Sequence, residues 1–318
     1  MADSGSSDIL SQYRSVSNKL KKRFLRKPNV TEASNQFGQL AARCEREDLP
    51  QYAGLCWIAA ARCEGSLGNA PGEAWDLLRA GRKFLEAEAG GEALGCPRPG
   101  GEHLQAAVSC YAHAAGRWQA HHAAEGAQAS SPLAAGLALE LGQALAEGLG
   151  RPEEAASQFR RAADAQRCSP LGRLASLRLL ASCKMQLGDY DGALAVLEEA
   201  SLAAEQGGGP AVGTCRDALR DCEVTRVLLL LVLQPVARRL PPDLAAVLER
   251  YAWVEDVSVP VSYLSEDEFL LLQSLVMACQ SRDVDSLRSL EPDLWPRLST
   301  EQRDLLRALV VRVGRSAR

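Results

Sequence analysis

Two stretches of this 318-residue chain repeat one another, and that repeat limits the fold more than any other feature. Residues 149–162 read LGRPEEAASQFRRA, and residues 187–200 read LGDYDGALAVLEEA. Gly150 and Gly188 sit where one helix should end, and Pro152 falls in the first turn of the next, the expected placement of both residue types. Ala155, Phe159 and Ala162 then recur at i, i+4 and i+7, as do Ala193, Leu197 and Ala200, so each trio lies on one helix face. The alanines let a preceding helix approach closely, and Phe159 or Leu197 fills the gap to the next hairpin. A single helical hairpin cannot bury its apolar face, so such units must stack.

The two glycines are 38 residues apart, close to the period of about 34 of a tetratricopeptide repeat, whose second helix the two stretches resemble. A weaker third copy spans residues 50–88, with Ala74, Leu78 and Gly81 in the stripe after a Gly68–Gly72 turn. The expected fold is all-α, a tetratricopeptide-like helical solenoid. Further helices are expected at residues 8–27, 31–46, 102–122, 214–234, 242–253, 265–280 and 299–313, and loops at 89–101, 125–132, 206–213 and 254–264. The Gly/Pro tract within 207–213 divides an N-terminal part, 1–206, from a C-terminal helical part, 214–318, of the same solenoid.

Composition agrees. Aromatics make up only 5% of the chain while 47% is hydrophobic, so helices packed through small residues are favoured over strands. No phosphate-binding loop, dinucleotide fingerprint or nucleophile elbow is present. Cys110 and His113 share a helix face, but no second Cys/His pair has matching spacing and there is no CxxC, so no metal or cofactor is expected. The longest apolar run, Val227–Leu233, is far shorter than the roughly 20 residues that cross a bilayer. Residues 1–30 lack the apolar core of a secretion signal, so the ten cysteines are expected as reduced, mostly buried thiols. A non-enzymatic, protein-binding chain is the expectation.

The net charge of −4 gives no reason to expect nucleic-acid binding. Its distribution is uneven. Residues 1–30 carry four Lys and three Arg against two Asp; residues 265–293 carry seven acids against two Arg. In the first block Lys19, Lys21, Lys22, Arg23, Arg26 and Lys27 surround Leu20, Phe24 and Leu25. A nuclear-localisation signal, an anionic-membrane patch and a contact with an acidic partner all fit this pattern. In the second block Glu266, Asp267, Glu268, Asp283 and Asp285 form an acidic band suited to a basic partner surface. Tetratricopeptide grooves often clamp acidic peptide ends. Aligning the copies on Ala155 and Ala193 puts Glu140 and Ala144, then Arg178 and Ser182, at groove-facing positions, which do not make a carboxylate clamp. The Leu-rich C-terminal runs, apolar on nearly every face, must either fold back on one another or be covered by a partner.

Several segments, in order along the chain, resemble the family of forty-kilodalton huntingtin-associated proteins, also named after intron twenty-two of factor VIII. They are SNKLKKRFLRKPNV (17–30), GALAV (192–196), CEVTRVLLLLVLQP (222–235), EFLLLQSLVMA (268–278) and WPRLSTEQRDLL (295–306). The resemblance implies a solenoid clasped between the HEAT-repeat arms of huntingtin. It also implies a link to early endosomes through the small GTPase Rab5, and hence a cytoplasmic, endosome-associated protein; the basic block, read as a nuclear-localisation signal, adds a nuclear pool to that expectation. The long Pro-rich insertion of that family shrinks here to Gly207–Pro210.

Overall fold

The computed structural model describes residues 3–21, 28–96, 100–124, 132–205, 213–233, 242–251 and 261–316. Among these residues there are fourteen α-helices and no strand. The all-α expectation holds, and the chain divides into two compact units, 1–167 and 168–318. Residues 207–212 of the expected linker lie outside the described residues.

The first unit holds α1 (Asp3–Leu20), α2 (Val30–Arg46), α3 (Pro50–Ser66), α4 (Ala70–Ala93), α5 (Glu102–Ala124), α6 (Pro132–Gln143) and α7 (Pro152–Ala165). Local chemistry sets the boundaries. Asn29 and Asn69 cap α2 and α4 through side-chain oxygens that accept from the amides of Glu32 and Gly72, and Pro stands in the first turn of α3, α4 and α7. Gly68 and Gly150 end their helices at φ +77° and +59°, backbone that a β-carbon would strain. Consecutive helices pack on one another from α1 through α7.

Small residues make that packing close. Ala41, Ala53, Ala74, Ala80, Ala107, Ala114, Ala135, Ala155 and Ala162 are buried. A β-carbon on Gly142 would lie 2.6 Å from the Phe159 ring, and one on Gly81 would lie 2.8 Å from Tyr111. All three expected stripes are therefore core, because Leu78, Phe159 and Leu197 are buried as well.

Two details depart from expectation. The loop expected from Ala89 begins only after Ala93, because Arg151 donates to Glu88 at 3.3 Å and Glu92 at 2.7 Å and holds the Gly90-Gly91 turn of α4 helical. Between α6 and Gly150 the backbone widens into one π-helical turn, Ala144–Gly148.

The second unit holds α8 (Pro170–Gln186), α9 (Tyr190–Glu205), α10 (Thr214–Leu233), α11 (Pro242–Glu249), α12 (Glu266–Ser281), α13 (Val284–Leu294), a single 3-10 turn (Trp295–Arg297) and α14 (Thr300–Ser316). The α8–α9 hairpin turns at Gly188, φ +75°. α10 is the axis of this unit: Val224 and residues 227–232 are buried, and α8, α9, α11, α12 and α14 all pack on it. The Leu-rich helices thus fold back on one another. α13 has no counterpart among the helices expected from sequence. Asp283 caps it by accepting from the amides of Asp285 and Ser286, after Arg282 closes α12 in the left-handed region.

Glu223 and Arg226 place a charged pair inside this apolar unit. The Glu223 side chain is fully buried and accepts from Tyr251 at 3.2 Å and Arg226 at 3.4 Å, with Arg250 at 3.7 Å. A buried carboxylate persists only with such partners. Burial and the Glu223 charge both push the Tyr251 hydroxyl well above the ordinary phenol range.

Candidate partner-binding surfaces

The basic block begins at the end of α1, which rests on α2 through buried Ile9 and Val16 and a Tyr13–Phe37 ring contact of 5.2 Å. Lys19 is exposed and donates to Gln36 on α2 at 3.0 Å. Lys21 follows the helix and is exposed. Lys22, Arg23, Phe24, Arg26 and Lys27 lie outside the described residues.

The acidic residues do not form one band. Glu266, Asp267 and Glu268 occupy the first turn of α12, whereas Asp283 and Asp285 start α13. The 16 residues of α12 separate the two groups by about 24 Å. Several of these charges already serve the fold. Glu268 closes a capping box with Ser265 and pairs with Arg220 at 2.6 Å; although burial opposes it, the bonds from Arg220 and Ser265 hold its carboxyl below the usual range. Asp267 lies 3.6 Å from Arg297. Asp283 is the cap of α13, and hydrogen bonds from Ser286 and Asp285 hold its carboxyl low. The Glu266 and Asp285 side chains are exposed, and their carboxylates take no part in these bonds.

The three polar groove positions of the repeats are likewise engaged within the chain. Glu140 receives Arg82 at 2.6 and 2.8 Å and the Tyr111 hydroxyl at 2.7 Å, and these donors hold its carboxyl low. Arg178 pairs with Asp221 of α10 at 2.7 Å. Ser182 donates to Glu301 in the first turn of α14, where Gln302 donates to Thr225 at 3.0 Å and to the Asp221 carbonyl at 3.2 Å. A cavity of about 390 Å³ remains between α8, α10 and α14, lined by Arg178, Met185, Leu197 and Glu301. Every acceptor or donor here comes from 29 to 119 residues away, so local pattern could not reveal it.

Two surfaces went unread in the sequence. One is a groove of about 670 Å³ between α3 and α5, floored by Leu77 of α4 and edged by Arg62, His113 and Arg117. The other is a pair of tryptophan–arginine stacks. Arg79 lies 4.6 Å from the centre of Trp57 and 5.4 Å from that of half-exposed Trp75, and Arg307 lies 4.4 Å from that of Trp295. Spacing does carry a signal for the first stack, since Trp75 and Arg79 are i, i+4.

Among the described residues no three His, Cys, Asp or Glu side chains converge as metal ligands, and no helix is long and apolar enough to cross a membrane. Cys110 is buried, and desolvation pushes its thiol up to about 11; His113, one turn on, faces the α3–α5 groove.

No known family profile matches the chain. Two curated proteins do: the 40-kDa huntingtin-associated protein of Mus musculus and that of Rattus norvegicus. Each is 40% identical over 359 aligned residues, covering 94% of this chain and 91% of the relative. The alignment is longer than the chain itself, so both relatives carry residues that this chain lacks. With this identity over nearly the full length of both partners, the chain belongs to the family of the 40-kDa huntingtin-associated protein.

Proposed function

We propose that this chain is a non-enzymatic scaffold that binds and stabilises huntingtin by bridging its HEAT-repeat arms. The observation that carries the reading is the 40% identity, over 94% of the chain, to two proteins named for huntingtin association. The fold supports it. Glu140, Arg178 and Ser182, the polar groove positions, are bonded within the chain, so recognition falls to broad helical surfaces rather than to a clamp. An interface of this kind buries more than about 2,000 Å². Apolar burial supplies most of its affinity, while Glu266 and Asp285 help set register against a basic surface. Co-expression with huntingtin followed by size exclusion tests the reading. Co-elution at moderate salt is expected; two separate peaks would overturn it.

A second reading rests on the basic block, of which Lys19 and Lys21 are exposed. In it the chain recruits huntingtin to early endosomes, through Rab5 or through anionic membrane directly, from a cytoplasmic and in part nuclear pool. Charge reversal at Lys21, Lys22 and Arg23 should abolish flotation with anionic liposomes and leave huntingtin co-elution intact. Unchanged flotation would remove the membrane arm.

A further inference from the structure

We infer that the groove between α3 and α5 is a docking site for an acidic amphipathic helix of a protein partner. Its shape comes first. α3 and α5 both pack on α4 and leave a trough above it, with Leu77 as floor and Ile58 on one wall. Small residues, Ala61 on one wall and Ser109 and Gly116 on the other, keep the walls low and the trough open to about 670 Å³. An apolar strip between two helices is the seat that an amphipathic helix takes.

Charge selects the sign of the occupant. Arg62 stands on one wall, and His113 and Arg117, one turn apart, stand on the other; all three are exposed. The acid in the lining, Glu73, already pairs with Arg117 at 2.7 Å. On a chain of net charge −4 this rim is a local reversal of sign. Carboxylates one turn apart on an incoming helix would meet the two walls while a Leu-sized side chain reaches Ile58 and Leu77.

The second unit supplies an internal precedent. There the groove face of α8 is met by the acid-bearing start of α14, with Glu301 on Ser182. Among the described residues the equivalent seat in the first unit is open. The inference does not depend on which protein carries the helix, so it stands or falls apart from the huntingtin reading.

The test uses the full chain and a synthetic, fluorescein-labelled helical peptide with Leu along one face and Glu flanking it. A second peptide has Lys in place of every Glu. Fluorescence anisotropy should show saturable binding of the Glu peptide and binding weaker by about tenfold or more for the Lys peptide. Arg62→Glu and His113→Glu should each weaken the Glu peptide by a similar factor with an unchanged circular dichroism spectrum. A photo-crosslinker at the central Leu should attach within residues 58–77 or 106–117. Equal binding of the two peptides, variants without effect, or crosslinks confined to the basic block at Lys19–Lys27 would each overturn the assignment.

Discussion

The two units solve the same packing problem with different side chains. The first is a series of hairpins whose helices meet through Ala and Gly, with the rings of Phe84, Tyr111 and Phe159 laid over Gly54, Gly81 and Gly142. The second winds helices around α10, whose Val and Leu run is buried on every side, and admits one buried ion cluster at Glu223. Close approach of backbones and burial of branched chains are alternative routes to a dry core. They differ in what breaks them. A core built on proximity fails when a residue grows; a core built on volume fails when a residue shrinks or loses its partner.

The largest effect should come from the second unit. Glu223→Ala removes the acceptor for buried Arg226 and for Tyr251 and leaves a charge unpaired. Urea unfolding should show a loss of about 3–5 kcal/mol. In the first unit a single added methyl should do the next most harm. Gly142→Ala drives a β-carbon into the Phe159 ring, which is itself wedged in the core, and should cost about 1–3 kcal/mol despite the better helix propensity of Ala. A Gly142→Ala protein as stable as the parent would mean that the stack is looser than the distances imply.

A smaller effect sharpens the contrast through pH. Burial pushes the Asp76 carboxyl from its ordinary 3.8 up to about 6, with Arg79 only partly opposing it. The folded first unit therefore holds this proton more tightly than the unfolded chain does. The resulting stability is fully present below about pH 4 and is lost as pH rises through about 6. Asp76→Asn keeps the site neutral throughout. It should raise the melting temperature at pH 7 and leave it nearly unchanged at pH 4; the site is half-buried, so solvent screening holds the gain to about 1 kcal/mol. Smallest of all, Gly90 lies in the last turns of α4 with nothing near its missing β-carbon. Gly90→Ala should stabilise by about 0.5–1 kcal/mol, the opposite sign to Gly142→Ala.

The repeat turns were legible because their signals are local. Gly150 and Gly188 sit in the left-handed region that the LG turn requires, and the Ala155 and Ala193 stripes are buried. The features that were not legible all depend on distant partners. Gly90-Gly91 reads as a turn, yet it is helical because Arg151 reaches back some 60 residues to Glu88 and Glu92. α13 was hidden by its acidic composition and by Pro292 inside it, although its Asp283 cap is a readable start. The acidic residues cluster along the chain, but α12 separates them in space, and of the five only the Glu266 and Asp285 carboxylates stand outside the bonds described above. The groove of the first unit escaped notice because its rim comes from two helices that do not adjoin in sequence.

The seating of α14 against α8 has a consequence for how the second unit meets other molecules. Tethered through α10 to α13, the start of α14 behaves as a ligand at an effective concentration of the order of millimolar. Any free peptide aimed at the face that carries Arg178 and Ser182 must outcompete it, so its apparent affinity falls by the ratio of that concentration to the internal dissociation constant. Selectivity at this face is then kinetic as well as thermodynamic, because a competitor gains entry only during the intervals when α14 lifts away.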